Sequence, residues 1–162
     1  MIRSALISDT KAIAEIYNYY IQHTHSTFET EAVTSTDMIE RIRRIQDQLQ
    51  LPWLVIEAEN RVVGYAYATQ WKPRAAYTKT VETTVYIDKD HQGNGYGKLL
   101  YQALIEKLRD QQYHALLGGI SLPNEGSIAL HERMGFTKVG QLKQVGFKFD
   151  QWIDVGYWER LL

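Results

Sequence analysis

Three glycines fall within five residues in Gln92-Gly93-Asn94-Gly95-Tyr96-Gly97, behind the β-branched run Val81-Glu82-Thr83-Thr84-Val85-Tyr86-Ile87 and ahead of an amphipathic stretch. A strand, a glycine turn and a helix N-terminus in that order can present backbone N–H groups to an anion, and the helix dipole favours the negative charge. Without Cβ atoms, the backbone at Gly93, Gly95 and Gly97 can come close to a phosphate. The chemistry implied is capture of a phosphate-bearing cofactor. One carboxylate, Glu82, interrupts the apolar strand before the turn. In a partly apolar site its pKa is raised, which suits it to take up a proton at neutral pH. Period-two alternation puts Glu82 and Thr84 opposite Val81, Thr83 and Val85, a pattern that an outward-facing glutamate shares.

Two common phosphate loops do not fit. A dinucleotide fingerprint needs a sixth-position glycine, and counting from Gly93 that position is Lys98. A nucleoside-triphosphate loop needs a glycine where Gln92 stands and a hydroxyl residue where Leu99 stands. What remains, Gln-x-x-Gly-x-Gly between strand and helix, resembles the acetyl-CoA pyrophosphate loop of the GNAT N-acetyltransferase superfamily. The segment from Pro123 to Phe136 is similar to that superfamily's second CoA-contacting helix. Phe28-Glu29-Thr30, Arg74 to Glu82 and Trp152-Ile153-Asp154 resemble the phosphinothricin/methionine sulfoximine acetyltransferase subgroup, and the match runs over nearly all of the 162 residues.

The resemblance implies one domain over 1–162. Its fold is mixed α/β, with a mostly antiparallel central sheet of about six to seven strands and about four helices. It also implies acetyl-CoA as co-substrate, no metal, and direct acetyl transfer to the α-amine of a small amino acid. Acetyl transfer needs a positioned thioester, a neutral amine and a stabilised oxyanion. The resemblance assigns Gly93, Asn94, Gly95, Tyr96, Gly97 and Lys98 to the pyrophosphate. Val85, Tyr86 and Ile87 fall to the pantetheine arm, one of their N–H groups facing the oxyanion, and Glu82 becomes the base. Asn124 and His131, seven residues apart, share a helix face; Asn124 also suits an N-cap. His131 stands where many relatives carry a tyrosine acid, so it is a candidate acid or CoA contact. The loop Gln70 to Tyr77 offers Arg74 and Lys72 to a carboxylate, Trp71 and Tyr77 as walls, and Ala75 and Ala76 between them. Phe28 and Glu29 resemble the other substrate-side segment.

Other acceptors, such as a protein N-terminus, polyamine or aminoglycoside, and a non-catalytic acyl-CoA sensor remain open alternatives. A net charge of −1 gives no electrostatic reason to expect nucleic acid. Arg41, Arg43 and Arg44 are flanked by Glu40 and Asp47 and read as a solvated helix face. With no cysteine there is no thiolate relay, and the chain reads as cytoplasmic. No signal-peptide pattern or run of about 20 apolar residues is present, so no membrane contact is expected. His23 and His25 lack further metal-ligand partners. Tyr157 and Trp158 are expected near a homodimer contact.

The elements that must position these groups follow from periodicity. Strands are expected over Ile2–Leu6, Trp53–Ala58, Val62–Ala68, Val81–Ile87, Ala115–Ile120, Thr137–Val145 and Asp154–Trp158. One helix is expected after an Asp9 cap, a second after Ser35 or Thr36, a third after the glycine turn, and a fourth from Asn124 to Met134, stopped by Gly135.

Overall fold

Trp53 to Gln70 folds back on itself as the antiparallel pair β2 (Trp53–Ala58) and β3 (Arg61–Gln70). Its two-residue turn, Glu59-Asn60, has both φ angles positive, the left-handed geometry that matches the twist of a hairpin. The computed structural model describes residues 1–162. Around this pair the sheet takes the order β1-β2-β3-β4-β5-β7-β6, with β1 at Ile2–Ser4, β4 at Thr80–Ile87, β5 at Ala115–Ser121, β6 at Thr137–Lys148 and β7 at Gln151–Leu161. Every neighbouring pair is antiparallel except β4 and β5. Parallel neighbours need a crossover, and here it is the helix α3, Tyr96–Asp110 in this chain. The sheet is mixed and mostly antiparallel, as the resemblance implies.

Helices cover both faces. α1 (Thr10–His23) and α2 (Ser35–Arg43) lie on the face carrying Tyr65, Tyr67 and Tyr86; the Tyr17 ring meets Tyr86 edge-on at 5.2 Å. α3 and α4 (Glu125–Arg133) cover the other face, where Tyr101 hydrogen-bonds Thr83 and packs edge-on against His131. Leu100, Leu104 and Leu108, on one side of α3, are fully buried. No helix is long and apolar enough to cross a membrane.

Several local expectations need correction. Thr34, rather than Ser35 or Thr36, caps α2: it accepts from the Asp37 N–H at 3.1 Å, and Asp37 returns a bond to the Thr34 N–H at 2.6 Å. Among the three hydroxyl residues, only Thr34 places an acidic residue at N3. The Asp9 side chain does not cap α1. It accepts from the Leu6 N–H and from Arg3, closing the short turn ahead of the helix. Both final strands are longer than periodicity indicates, because an irregular pairing between Leu142 and Gly146 breaks the alternation. Trp158 is 2% exposed and belongs to the core, so it cannot reach a second subunit. Arg41 is not simply solvated: it pairs with Glu29 at 2.5 Å and lies over the Tyr17 ring.

Candidate active site

The central parallel pair parts in the middle of the sheet. β4 matches β5 at Thr80↔Ala115, Val81↔Leu116 and Glu82↔Leu117, and the pairing ends there. Beyond it, β4 keeps β3 as far as Gly64↔Ile87, and β5 keeps β7 as far as Ser121↔Val155. Each strand therefore turns one edge toward a cleft of about 930 Å³. Main-chain groups on such edges are obligatory hydrogen-bonding groups, so the cleft suits an extended, amide-bearing ligand.

At the mouth of the cleft sits the glycine turn. Gly93 and Gly95 have φ of +78° and +80°, and nothing lies within 4 Å of where a Cβ would stand. Conformation, not crowding, demands glycine there, and the space stays open to a ligand. Gly93, Gly95, Tyr96, Gly97 and Lys98 line the cleft, as do Val85, Tyr86 and Ile87. Turn, helix N-terminus and strand edge together fit a pyrophosphate followed by a pantetheine-like arm. The Asn94 side chain instead bonds back to the His91 carbonyl at 3.2 Å and does not line the cleft. Tyr20 was not legible as a site residue. Its hydroxyl donates to the Ile87 carbonyl and accepts from Gln92 Nε2 at 2.8 Å, tying α1 to the strand end and the loop.

On the opposite wall, Asn124 caps α4 by accepting from the Ser127 N–H at 3.1 Å, and its Nδ2 reaches Ser26 Oγ at 3.4 Å. His131 lines the cleft but is only 4% exposed. Its Nδ1 lies 2.7 Å from the Ser127 carbonyl. A carbonyl can only accept, so Nδ1 carries the proton and Nε2 of the neutral ring is an acceptor. Burial lowers the His131 pKa, partly offset by that carbonyl bond. At neutral pH the ring thus has no Nε2 proton to give to a leaving group.

Glu82 sits where the cleft begins. Burial raises its pKa, and the nearby charge of Lys72 partly offsets this. The loop after β3 lies at the same end of the sheet. Lys72 Nζ stands 5.0 Å over the Trp71 ring, and Trp71 meets Tyr157 edge-on at 5.6 Å. Arg74 leads into the short turn Ala75–Tyr77; all four residues are exposed, and they lie outside the walls of the main cleft. Phe28 packs over Gly146 of β6, its ring filling the space where a Cβ would stand. Both Glu29 oxygens are engaged within the protein, by Arg41 and the Tyr17 hydroxyl. Gly118 and Gly119 on β5 are further site residues. Glycines inside an apolar strand are a signal of close approach, and here His131 lies against one and Glu82 against the other. No group of three or more His, Asp or Glu side chains is arranged to hold a metal ion.

The chain is similar to known acetyltransferases. Residues 2–156 match the model of the acetyltransferase (GNAT) domain. A phosphinothricin N-acetyltransferase of Streptomyces viridochromogenes is 42% identical over 159 residues, 98% of this chain and 86% of that protein. An L-methionine sulfoximine/L-methionine sulfone acetyltransferase of Salmonella typhimurium is 36% identical over 96% of this chain and 91% of its own length. The crystal structure of a GNAT superfamily phosphinothricin acetyltransferase from Sinorhizobium meliloti in complex with AcCoA superposes with a TM-score of 0.95, at 30% identity, covering 100% of this chain and 88% of that one. The chain belongs to the GNAT acetyltransferase family.

Proposed function

We propose that this chain, acting as one domain, moves the acetyl group of acetyl-CoA to the α-amine of a small amino acid such as phosphinothricin or methionine sulfoximine, directly within a ternary complex. The observation that carries the reading is a desolvated carboxylate, Glu82, at the point where the donor cleft opens. The names of the relatives and the acetyl-CoA complex of a structural neighbour support the donor and the acceptor class.

In this scheme the N–H groups from Gly93 to Lys98 hold the pyrophosphate. The edge formed by Val85, Tyr86 and Ile87 aligns the pantetheine arm and offers an N–H to the oxyanion. Glu82 takes one proton from the incoming ammonium. The N–C bond forms as the C–S bond breaks, and the second amine proton balances the thiolate, which leaves as CoA thiol. The neutral His131 ring, with its proton on Nδ1, does not supply this proton. Arg74 and Lys72, on the exposed loop after β3, are the groups assigned to the acceptor's carboxylate. The chain has no cysteine to carry an acetyl-enzyme relay.

A homodimer belongs to the same reading. With Trp158 buried, the β6–β7 hairpin offers Val145, Phe147, Phe149 and Trp152, each more than half exposed, to an interface. Sedimentation velocity reporting only monomer at micromolar concentration would overturn that part. The catalytic reading is tested by following free thiol with acetyl-CoA and a panel of amines: phosphinothricin, L-methionine sulfoximine, ordinary amino acids, a polyamine, an aminoglycoside and a peptide N-terminus. Thiol release is expected with the first two. Release with another amine class alone would move the acceptor, and CoA binding without release from any of them would favour a sensor.

A further inference from the structure

Gly119 leaves a notch beside Glu82. A Cβ built there would stand 3.3 Å from Glu82 Oε1 and 3.3 Å from Tyr157 Cε1, with Tyr157 Cδ1 at 3.8 Å. The two groups thus flank one atom-sized position from different strands, β4 and β7, with the glycine of β5 as its floor. Gly119 itself is exposed and lines the cleft, so the position opens to the ligand side. It lies two residues beyond Leu117, where the pairing of β4 with β5 ends and the donor edge begins. Its distance from Oε1 is close to that of a nitrogen hydrogen-bonded to a carboxylate, which is about 2.7–3.2 Å. An aromatic ring on the other side can turn its electronegative face to a cation.

We propose that the Gly119 notch is the seat of the acceptor's reacting amine, held as ammonium between Glu82 and the Tyr157 ring, and that Gly119 and Tyr157 are acceptor-binding residues. The inference rests on Glu82 acting as the base. It accounts for glycine at a position inside a strand, where glycine is otherwise unfavourable. It also explains why Tyr157, on the same side of the sheet as Glu82, is braced edge-on by Trp71 instead of lying free. The notch admits a primary amine on a slender carbon; a second substituent on nitrogen would meet the ring or the floor.

The test uses L-methionine sulfone as acceptor and 4-(methylsulfonyl)butanoic acid, the same molecule without its amine, as competitive inhibitor. Gly119→Ala is expected to lower kcat/KM for the sulfone by roughly 10- to 100-fold, the scale of misplacing a reacting group by about 1 Å. Tyr157→Leu is expected to raise the acceptor KM by about 2- to 30-fold, the range of a cation–π contact, while Tyr157→Phe retains the wild-type KM. In all three variants the acetyl-CoA KM and the inhibitor Ki should stay at wild-type values. Wild-type kcat/KM in Gly119→Ala, or a Ki that rises in step with KM, would overturn the seat. If Gly119→Ala does not fold, Tyr157→Leu and its Ki decide alone. Turnover in Glu82→Gln equal to wild type would remove the base, and the seat with it; loss of turnover in Glu82→Gln beside unaltered Gly119→Ala and Tyr157→Leu would remove the seat only.

Discussion

The two ends of the cleft are built on different plans. The end proposed to hold the donor comes from one continuous stretch, Val85 to Lys98, and presents main-chain groups and a helix terminus. In the proposed scheme the acceptor end gathers side chains from separate places: Glu82 on β4, Gly119 on β5 and Tyr157 on β7, with the exposed loop after β3 beside them. A main-chain site tolerates change in most of its side chains and fixes one ligand chemistry. A side-chain site can be altered one residue at a time, so the same donor can serve many acceptors.

That contrast can be broken by substitution. The largest effect is expected for Glu82→Gln, which should lower kcat by about 10²–10⁴-fold, the usual worth of a general base, with the acetyl-CoA KM unchanged. The wild-type rate should fall as pH drops through the raised Glu82 pKa, above the ordinary carboxylate value of about 4.3, because only the ionised group accepts a proton. The same shift means that the folded protein holds this proton more tightly than the unfolded chain. Ionising Glu82 therefore costs stability as pH rises through that window, and Glu82→Gln should melt higher than wild type at pH 7.

At the donor end, Gly95→Val forces a β-branched residue to a φ of +80°. Such strain is on the order of 1–3 kcal/mol. Relaxation of the turn should weaken acetyl-CoA binding by roughly 10- to 100-fold, while the acceptor KM stays within twofold. Calorimetric titration with CoA checks the first, and steady-state kinetics at saturating donor the second. Arg74→Ala should do the reverse, raising the amino acid KM by about tenfold, the value of a charged hydrogen bond, and sparing the donor. Equal effects on both substrates would erase the division between the two ends. The smallest effect belongs to Arg41→Ala. Its ion pair with Glu29 is more than a third exposed on both sides, so the loss should be on the order of 1 kcal/mol, or a melting point lower by about 2–4 °C.

The donor end was legible because its signal is local: glycines at fixed offsets, with a strand before and a helix after. Glu82 was legible for a related reason, as one charge in an apolar strand. The acceptor seat depends on which strands are neighbours. Gly119 meets Tyr157 only because β7 inserts between β5 and β6, and nothing in the spacing of the sequence announces that order. The same holds for Tyr20 and Gln92, 72 residues apart yet 2.8 Å from each other. Arg41 looked solvated because its helix neighbours are charged; its partner Glu29 lies on a loop before the helix begins. Trp158 looked available for a contact because period-two alternation does not say which face of an inner strand is covered, and α4 covers this one, with Glu132 reaching the indole N–H at 3.3 Å.

Because β4 and β5 part beyond Glu82 and Leu117, the sheet carries a seam at its centre rather than at its rim. A donor lying along that seam, as proposed, would tie the two halves together, and its binding would add RT ln(1 + [L]/Kd) to the stability of the fold, about 2.7 kcal/mol at a hundredfold excess over Kd. In the proposed scheme the resistance of the fold to proteases would then rise with the concentration of acyl donor. Limited proteolysis with and without CoA reads this directly, with cleavage slowed by about 100-fold at that excess.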